Sequence, residues 1–158
     1  MDKDQQVDVF NIFHDGGIVQ LQRKNTNDIE LQVDILYLAE MVNPTYTHFI
    51  AILKSCGSFF FDTWERDNTS KRYDDVQELQ TLLEDMDVLS AEYKDGVIEV
   101  CCWSDDEKIA GGLLSFSCED IALFDEGGKE MSFVELEAIA RQYWDDFSNR
   151  GRKAHENC

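Results

Sequence analysis

The stretch Phe10-Asn11-Ile12-Phe13-His14-Asp15-Gly16-Gly17-Ile18, followed by the alternating run Ile29–Tyr37, decides the fold. In the run every second residue is apolar and polar residues fill the gaps, which is the period of a strand with one face on a core and one in water. A shorter strand is indicated at 18–22, and the Asn-rich segment after it suits a turn. Residues 18–37 are therefore predicted to form a β-hairpin.

The two glycines just before this hairpin predict a turn that directs His14 and Asp15, because glycine tolerates positive φ. In one reading these two residues line a pocket and transfer protons. In the other, Asp15 caps backbone amides and His14 bonds to a neighbouring strand. No G-x-S-x-G elbow, Walker sequence or Gly-rich strand-to-helix loop accompanies them. The sequence therefore predicts a protein that is not an enzyme.

The rest of the chain contains further strand patterns and two helical ones. Val9–Phe13 reads as a first short strand or turn, and later strand patterns lie at 46–53, 58–64, 88–93, 97–103, 113–118 and 121–124. Apolar residues recur at helical spacing in Asp74–Met86 and Ser132–Arg150, both of which begin in a capping box. We expect an α+β domain: an antiparallel sheet or partly closed barrel of about seven or eight strands with two helices, the C-terminal one packed on the sheet.

Length and composition favour one domain, 1–158, with disordered tails at 1–8 and 152–158. No apolar run approaches the roughly 20 residues that cross a bilayer, and the charged start lacks a signal segment, which predicts a cytoplasmic protein. The five cysteines are odd in number and contain no C-x-x-C pair. We therefore expect reduced thiols, no metal and no cofactor.

Charge is the most unusual bulk property: 33 acidic against 14 basic residues give a formal net charge of -19. Nucleic acid and anionic membranes would repel such a chain. The acids either form an ordinary solvated surface or attract a basic protein partner. The expected contact residues are acids on loops with two tryptophans as apolar anchors: Asp105, Asp106, Glu107, Asp125, Glu126, Trp64 and Trp144. The acidic loops could loosely hold a cation, but no spacing matches a zinc or EF-hand site.

The motif Phe13-His14-Asp15-Gly16-Gly17-Ile18, with the hairpin and the aromatic segment up to Trp64, resembles a loose group of small acidic bacterial proteins. These begin with an F-H-D-x-x-I element. Some of them are immunity proteins of polymorphic toxin systems, in which a cytoplasmic protein binds and neutralises a toxin. The resemblance implies a cytoplasmic binding protein without catalysis.

Charge and resemblance together favour an immunity-like inhibitor that covers the basic surface of a toxin or another cationic partner. The alternative is a small-ligand-binding or enzymatic β-rich domain that uses His14 and Asp15. A third reading is a subunit of a homo-oligomer, which needs only an exposed apolar edge.

Overall fold

The computed structural model describes residues 1–84 and 86–156. The helices and strands, in chain order, are α1 (Lys3–Ile12), β1 (Gly17–Arg23), β2 (Ile29–Asp34), α2 (Leu36–Val42), β3 (His48–Lys54), β4 (Ser58–Glu65), β5 (Arg72–Tyr73), α3 (Val76–Leu83), β6 (Asp87–Lys94), β7 (Val97–Trp103), β8 (Ile109–Ser117), β9 (Asp120–Asp125), β10 (Glu130–Met131) and α4 (Phe133–Glu156).

All the strands belong to one sheet with the order β10-β9-β3-β2-β1-β6-β7-β8-β4-β5. Its neighbours pair antiparallel, and the sheet is not closed into a barrel. The predicted α+β class is confirmed. The counts were wrong, because the described residues form ten strands and four helices. Three of the missed elements are short: α2 has seven residues, and the edge strands β5 and β10 have two each.

The N-terminal segment is a helix, so the predictions of a disordered tail at 1–8 and of a first short strand or turn at Val9–Phe13 were wrong. Asp2 and Gln5 form a capping box at the start of α1, which satisfies backbone N–H groups that a helix end leaves free. The amino group of Met1 is 2.6 Å from the Asp120 carboxylate. Buried Gln6 lies on the same helix face as the apolar core residues, and its polarity hid the helical spacing in the sequence.

The C-terminal helix begins where predicted and ends later than predicted. Its capping box is confirmed: the Ser132 amide donates to the Glu135 carboxylate (2.7 Å), and the Glu135 amide donates to the Ser132 hydroxyl (3.2 Å). The helix continues through Gly151 to Glu156, so the predicted tail at 152–158 was wrong as far as 156, and 157–158 lie outside the described residues. α4 packs mainly against α1 and α2, not directly on the strands as expected.

Both predicted hairpins are present. The β6–β7 hairpin turns at Asp95-Gly96, where both residues have positive φ (51° and 85°), as the sharp two-residue turn requires. The β1–β2 hairpin is shorter than predicted, because β2 ends at Asp34 and the chain enters α2. In α3 the N-cap is Asp75, one residue later than predicted, and its carboxylate accepts from the amides of the first turn.

A corner, where β3 is followed by β4 and β8 by β9, divides the sheet into two halves. The chain passes from β3 to β4 through residues 55–57 and from β8 back to β9 through 118–119. Because β3 pairs with β9 and β4 pairs with β8, these four strands form one antiparallel ribbon that bends at the corner. Such bends allow one strand pair to serve two packed sheets. The first half is β10-β9-β3-β2-β1 and the second is β6-β7-β8-β4-β5.

Helix α1 and its C-cap fill the space between the two halves. Phe13 stacks on Phe49 of β3 (5.7 Å between ring centroids), and Phe10 contacts Phe116 of β8 (5.4 Å). These strands are five spacings apart in the sheet order, about 24 Å in a flat sheet. The two phenylalanines are themselves in contact at 6.4 Å, so the sheet must curve around the helix.

The two halves also join directly at the Gly-Gly turn. The Asp15 amide donates to the Val88 carbonyl, and the Val88 amide donates to the Gly16 carbonyl, each at 2.8 Å. Gly17 is the only residue of β1 that pairs with β6 among the residues the structure describes. A Cβ on Gly16 would lie 2.9 Å from the Phe13 carbonyl oxygen. Glycine is required here because the backbone of the turn passes so close to its neighbours.

Beyond this junction β1 and β6 diverge, and two side-chain amides take the place of strand partners. Asn11 donates to the Ala91 carbonyl (3.3 Å) and accepts from the Ala91 amide (2.8 Å). On the other side Gln80 donates to the Val19 carbonyl (2.9 Å) and accepts from the Leu21 amide. The side-chain amides of Asn11 and Gln80 each donate one hydrogen bond and accept one, as a backbone partner on a neighbouring strand would. The split in the sheet therefore leaves neither strand with unpaired groups at these positions.

Asn11→Ala should lower the free energy of unfolding by about 1–3 kcal/mol, because both backbone groups of Ala91 lose a partner in a half-buried place. The measurement is urea denaturation followed by circular dichroism. Asn149→Ala, at an exposed position of α4, is the control and should change stability by less than about 0.5 kcal/mol. Equal effects of the two substitutions would show that Asn11 does not support the split.

Candidate functional site

Aligned residues on neighbouring strands form one row across most of the sheet. The row lies at the strand ends opposite to the corner. Trp64 is aligned with Gly111, Gly111 with Trp103, and Trp103 with Asp87. The row continues across the junction from Asp87 to Gly17, then to Asp34 and His48. Aligned residues on paired strands project from the same face of a sheet. The row therefore brings acidic and aromatic side chains together from distant parts of the sequence.

An acidic groove of about 470 Å³ lies in the middle of this row. It is bounded by the Gly-Gly turn, the start of β6 and the loop after β7. Six carboxylates line it: Asp15, Asp34, Glu84, Asp87, Asp105 and Asp106. We call this set the acidic groove. The linear scatter of acids seen in the sequence thus converges in space at one end of the sheet.

The carboxylates of the groove differ in how they are stabilised. Partial desolvation raises the pKa of Asp87, and repulsion from Asp15 and Asp105 raises it further. The pKa of Asp106 is lowered, because its carboxylate accepts from the amides of Lys108 (2.8 Å) and Ile109 (3.0 Å). Asp106 therefore fixes its own loop, while the charge on Asp87 is unfavourable in the unbound protein.

Two exposed tryptophans continue the row beside the groove. Trp64 is 43% exposed and Trp103 is 48% exposed. They flank buried Gly111 on the strand between them, so their backbones are about 10 Å apart. We call them the tryptophan pair. Large aromatic side chains exposed next to charged groups are frequent anchors of protein interfaces.

The structure places the predicted contact acids in different surroundings. Asp105 and Asp106 line the groove, and Glu107 lies in a neighbouring hollow beside Arg66 and Lys108. Glu126 accepts from the Thr47 amide (2.5 Å) and lies 3.4 Å from the His48 ring nitrogen.

The prediction of a partner contact at Asp125 does not fit its position. Its side chain is 5% exposed and accepts from the Lys129 amide at 2.9 Å. Asp125 therefore shapes the turn between β9 and β10 and is not accessible to a partner.

Trp144, 39% exposed, stacks on His14 with ring centroids 5.5 Å apart. Both residues line a cavity of about 380 Å³ between α1 and α4. Its other lining residues are Asp8, Asn11, Ile12, Phe133, Glu137, Ala140 and Arg141. Asp15 lines the acidic groove instead. The predicted His14–Asp15 pocket is thus divided between two cavities.

The hydrogen bonds of His14 define its tautomer. Its Nδ1 lies 2.8 Å from the Asn11 carbonyl oxygen, which can only accept, so Nδ1 bears the proton. Nε2 lies 3.8 Å from the Asp15 carboxylate. The His14 carbonyl accepts from Tyr37 (3.1 Å), whose pKa is raised to about 12 by burial, Asp15 and Tyr143. His14 is thus held by its backbone and ring contacts on the wall of the cavity.

Sequence reasoning missed Trp103, Asp34, Glu84 and Asp87. Trp103 was not among the predicted contact residues. It lies on the same face of β7 as Glu99, whereas Cys102 and Val100 face inward. That parity could have placed Trp103 outside. The convergence of Asp34, Glu84 and Asp87 had no signal in the sequence, because it depends on the pairing of β1 with β6.

Within residues 1–84 and 86–156 no helix is long and apolar enough to cross a membrane. Over the same residues no group of three or more His, Cys, Asp or Glu side chains has the arrangement of a metal site. Comparisons of the chain with protein-family models, curated proteins and solved structures found no match.

Asp87→Asn should stabilise the protein at neutral pH by less than about 1 kcal/mol, because it removes a repelled charge at an exposed position. The pKa of Asp87 is raised in the folded protein. The charge of Asp87 therefore destabilises the fold at high pH, and this effect disappears as the pH falls below the pKa that Asp87 has in the unfolded chain. The gain should therefore vanish in acid, as measured by urea denaturation over a pH series.

Asp106→Asn is the matched substitution and should change the free energy of unfolding in the opposite direction. Its folded pKa is lowered, so the carboxylate stabilises the protein above the unfolded pKa and loses that effect as pH falls through the folded value. The variant should be less stable than wild type at neutral pH and equal to it in strong acid. If both variants changed the free energy of unfolding in the same direction, the opposite pKa shifts of Asp87 and Asp106 would be contradicted.

Proposed function

We propose that this chain is a cytoplasmic, non-catalytic protein-binding protein that covers a basic surface of its partner, as an immunity-like inhibitor covers a toxin. The observation on which this depends is the acidic groove beside the tryptophan pair. The groove concentrates carboxylates, and the pair offers exposed apolar area next to them. Charge complementarity speeds encounter and excludes wrong partners, while buried aromatic anchors hold the complex.

A protein partner suits this surface better than a nucleic acid or a membrane. The net charge of -19 repels phosphate groups. In the groove, Asp87 lies close enough to Asp15 and Asp105 for their charges to raise its pKa. A cationic partner would relieve this repulsion, so part of the binding free energy would come from strain present in the unbound protein.

The test is a pull-down of tagged protein from the native cytosol at low and moderate salt, with retained proteins identified by mass spectrometry. Wild type should retain one basic protein in an amount equal to that of the tagged chain, and the retained amount should fall as the salt concentration rises. The groove variant Asp15→Asn, Asp87→Asn, Asp105→Asn should lose it. Asparagine tolerates the positive φ of Asp15 (66°), so this variant should keep the turn.

The control variant is Asp4→Asn, Glu92→Gln, Glu119→Gln, which changes the net charge equally at exposed positions outside the groove. It should retain the partner as wild type does. Equal losses in both variants would mean that only total charge matters. Retention of nothing but a second copy of the chain would replace the proposal with self-association.

A second candidate function is small-ligand binding in the cavity between α1 and α4. The favouring observation is that His14 lies on its wall, beside the charged residues Asp8, Glu137 and Arg141. Arg141 and Glu137 already pair at 3.4 Å, so a ligand would compete with that ion pair. This cavity is separate from the acidic groove, and the two candidates can be tested independently.

For this candidate, a fragment library is screened by thermal shift against wild type and against His14→Gln. A ligand of the cavity should raise the melting temperature of wild type and raise that of the variant less. The control is the double variant Asp87→Asn, Asp105→Asn, which leaves Asp15 in place beside His14 and should respond as wild type does. Fragments that stabilise both proteins equally would exclude His14 from the binding site.

A further inference from the structure

The outer face of β4 already shows how this protein holds a guanidinium group. Arg72 on edge strand β5 donates two hydrogen bonds to Asp62, from Nε at 2.8 Å and from Nη2 at 2.9 Å. Its Cζ lies 4.0 Å from the centre of the Phe60 ring. A carboxylate binds the edge of the guanidinium, and an aromatic ring contacts its face. Arg72 is paired with Asp62 across the two strands, and Phe60 lies two residues before Asp62 on the same face of β4.

The next row repeats these groups without an arginine of the chain itself. Trp64 lies two residues after Asp62 on the same face, and Trp103 lies across Gly111 from it. Asp87 is aligned with Trp103 and supplies the carboxylate. Among residues 1–84 and 86–156 no cation lies over either indole. The nearby Arg66 guanidinium instead donates to the carbonyls of Asp106 (2.7 Å) and Ser104 (3.3 Å).

We propose that the tryptophan pair and Asp87 bind an arginine side chain of the basic protein partner, with its guanidinium stacked on indole and paired with the carboxylate. The inference rests on the proposed function, since it names the group that the partner contributes. Indole is the strongest cation–π acceptor among side chains. Arginine fits better than lysine, because its planar group can stack on a ring and bond a carboxylate at the same time.

The electrostatics of the row support the same occupant. Asp87 is charged in surroundings that already contain Asp15 and Asp105, so an incoming cation gains from several carboxylates and not from one. The charge on Asp62, by contrast, is already matched by Arg72. The exposed indoles and the unmatched carboxylate are therefore adjacent, and the apolar and charged parts of a guanidinium can be satisfied together.

The test uses the peptide acetyl-Gly-Arg-Gly-amide as probe and the indole N–H signals of the ¹⁵N-labelled protein as readout. The chain has three tryptophans, so Trp144 serves as an internal control. The signals of Trp64 and Trp103 should shift saturably while that of Trp144 does not. The citrulline peptide, which has the same shape without the charge, should produce no saturable shift. Equal shifts of all three indoles, or equal shifts with citrulline, would overturn the proposal.

Two variants separate binding from folding. Trp103→Leu keeps an apolar side chain and should weaken the arginine peptide about threefold or more. Asp87→Asn should also weaken the peptide, although it stabilises the fold. The backbone amide signals of both variants confirm that the sheet is intact. Peptide affinity equal to wild type in both variants would exclude this row as the arginine site.

The outcomes also distinguish this inference from the proposed function. If the arginine peptide binds at the tryptophan pair and the pull-down yields no basic partner, the arginine site stands and the proposed function fails. If a partner is retained through the acidic groove and Trp103→Leu retains it equally, the proposed function stands and the arginine site fails.

Discussion

The fold depends on two backbone hydrogen bonds between the Gly-Gly turn and Val88, which join the two halves of the sheet. Among the described residues β1 and β6 pair only here, and Phe13, one turn earlier, fixes the end of α1 in the core. The sheet can then curve around α1, because the opposite ends of the halves are joined by the bent ribbon of β3, β4, β8 and β9. A side chain at Gly16 would break this contact by steric overlap.

This junction also explains why the acids and the tryptophans lie together. Gly17 pairs with Asp34 on one side and with Asp87 on the other, and Asp87 leads to Trp103. The arrangement leaves like charges close together, at a cost in stability that a purely structural surface would not need. Strain of this kind concentrates at functional sites, because a partner can relieve it. The acidic groove and the tryptophan pair are thus consequences of one pairing event in the sheet.

Local patterns predicted most of the strands and the helices α3 and α4. The Asp95-Gly96 turn and the Ser132–Glu135 capping box were predicted correctly, because each depends on neighbours in the chain. Helix α1 was missed, since buried Gln6 interrupts its apolar face and finds its partners in Met1 and Glu119. Of the contact residues predicted from sequence, Asp105 and Asp106 line the acidic groove, whereas buried Asp125 does not fit a contact because its burial follows from a local turn.

The sequence by itself determined the α+β class, the two hairpins, the start of α4 and the strongly acidic surface, because composition, alternation and capping act over a few residues. Only the tertiary structure decided that β1 meets β6, that the sheet bends around α1, and that Asp15, Asp87 and Asp105 share one groove. These features depend on contacts between residues far apart in the chain, and an alternating strand pattern gives no information about its partner. The position of Trp103 beside Asp87 was likewise decided only by the tertiary structure, because it depends on the pairing of β6 with β7.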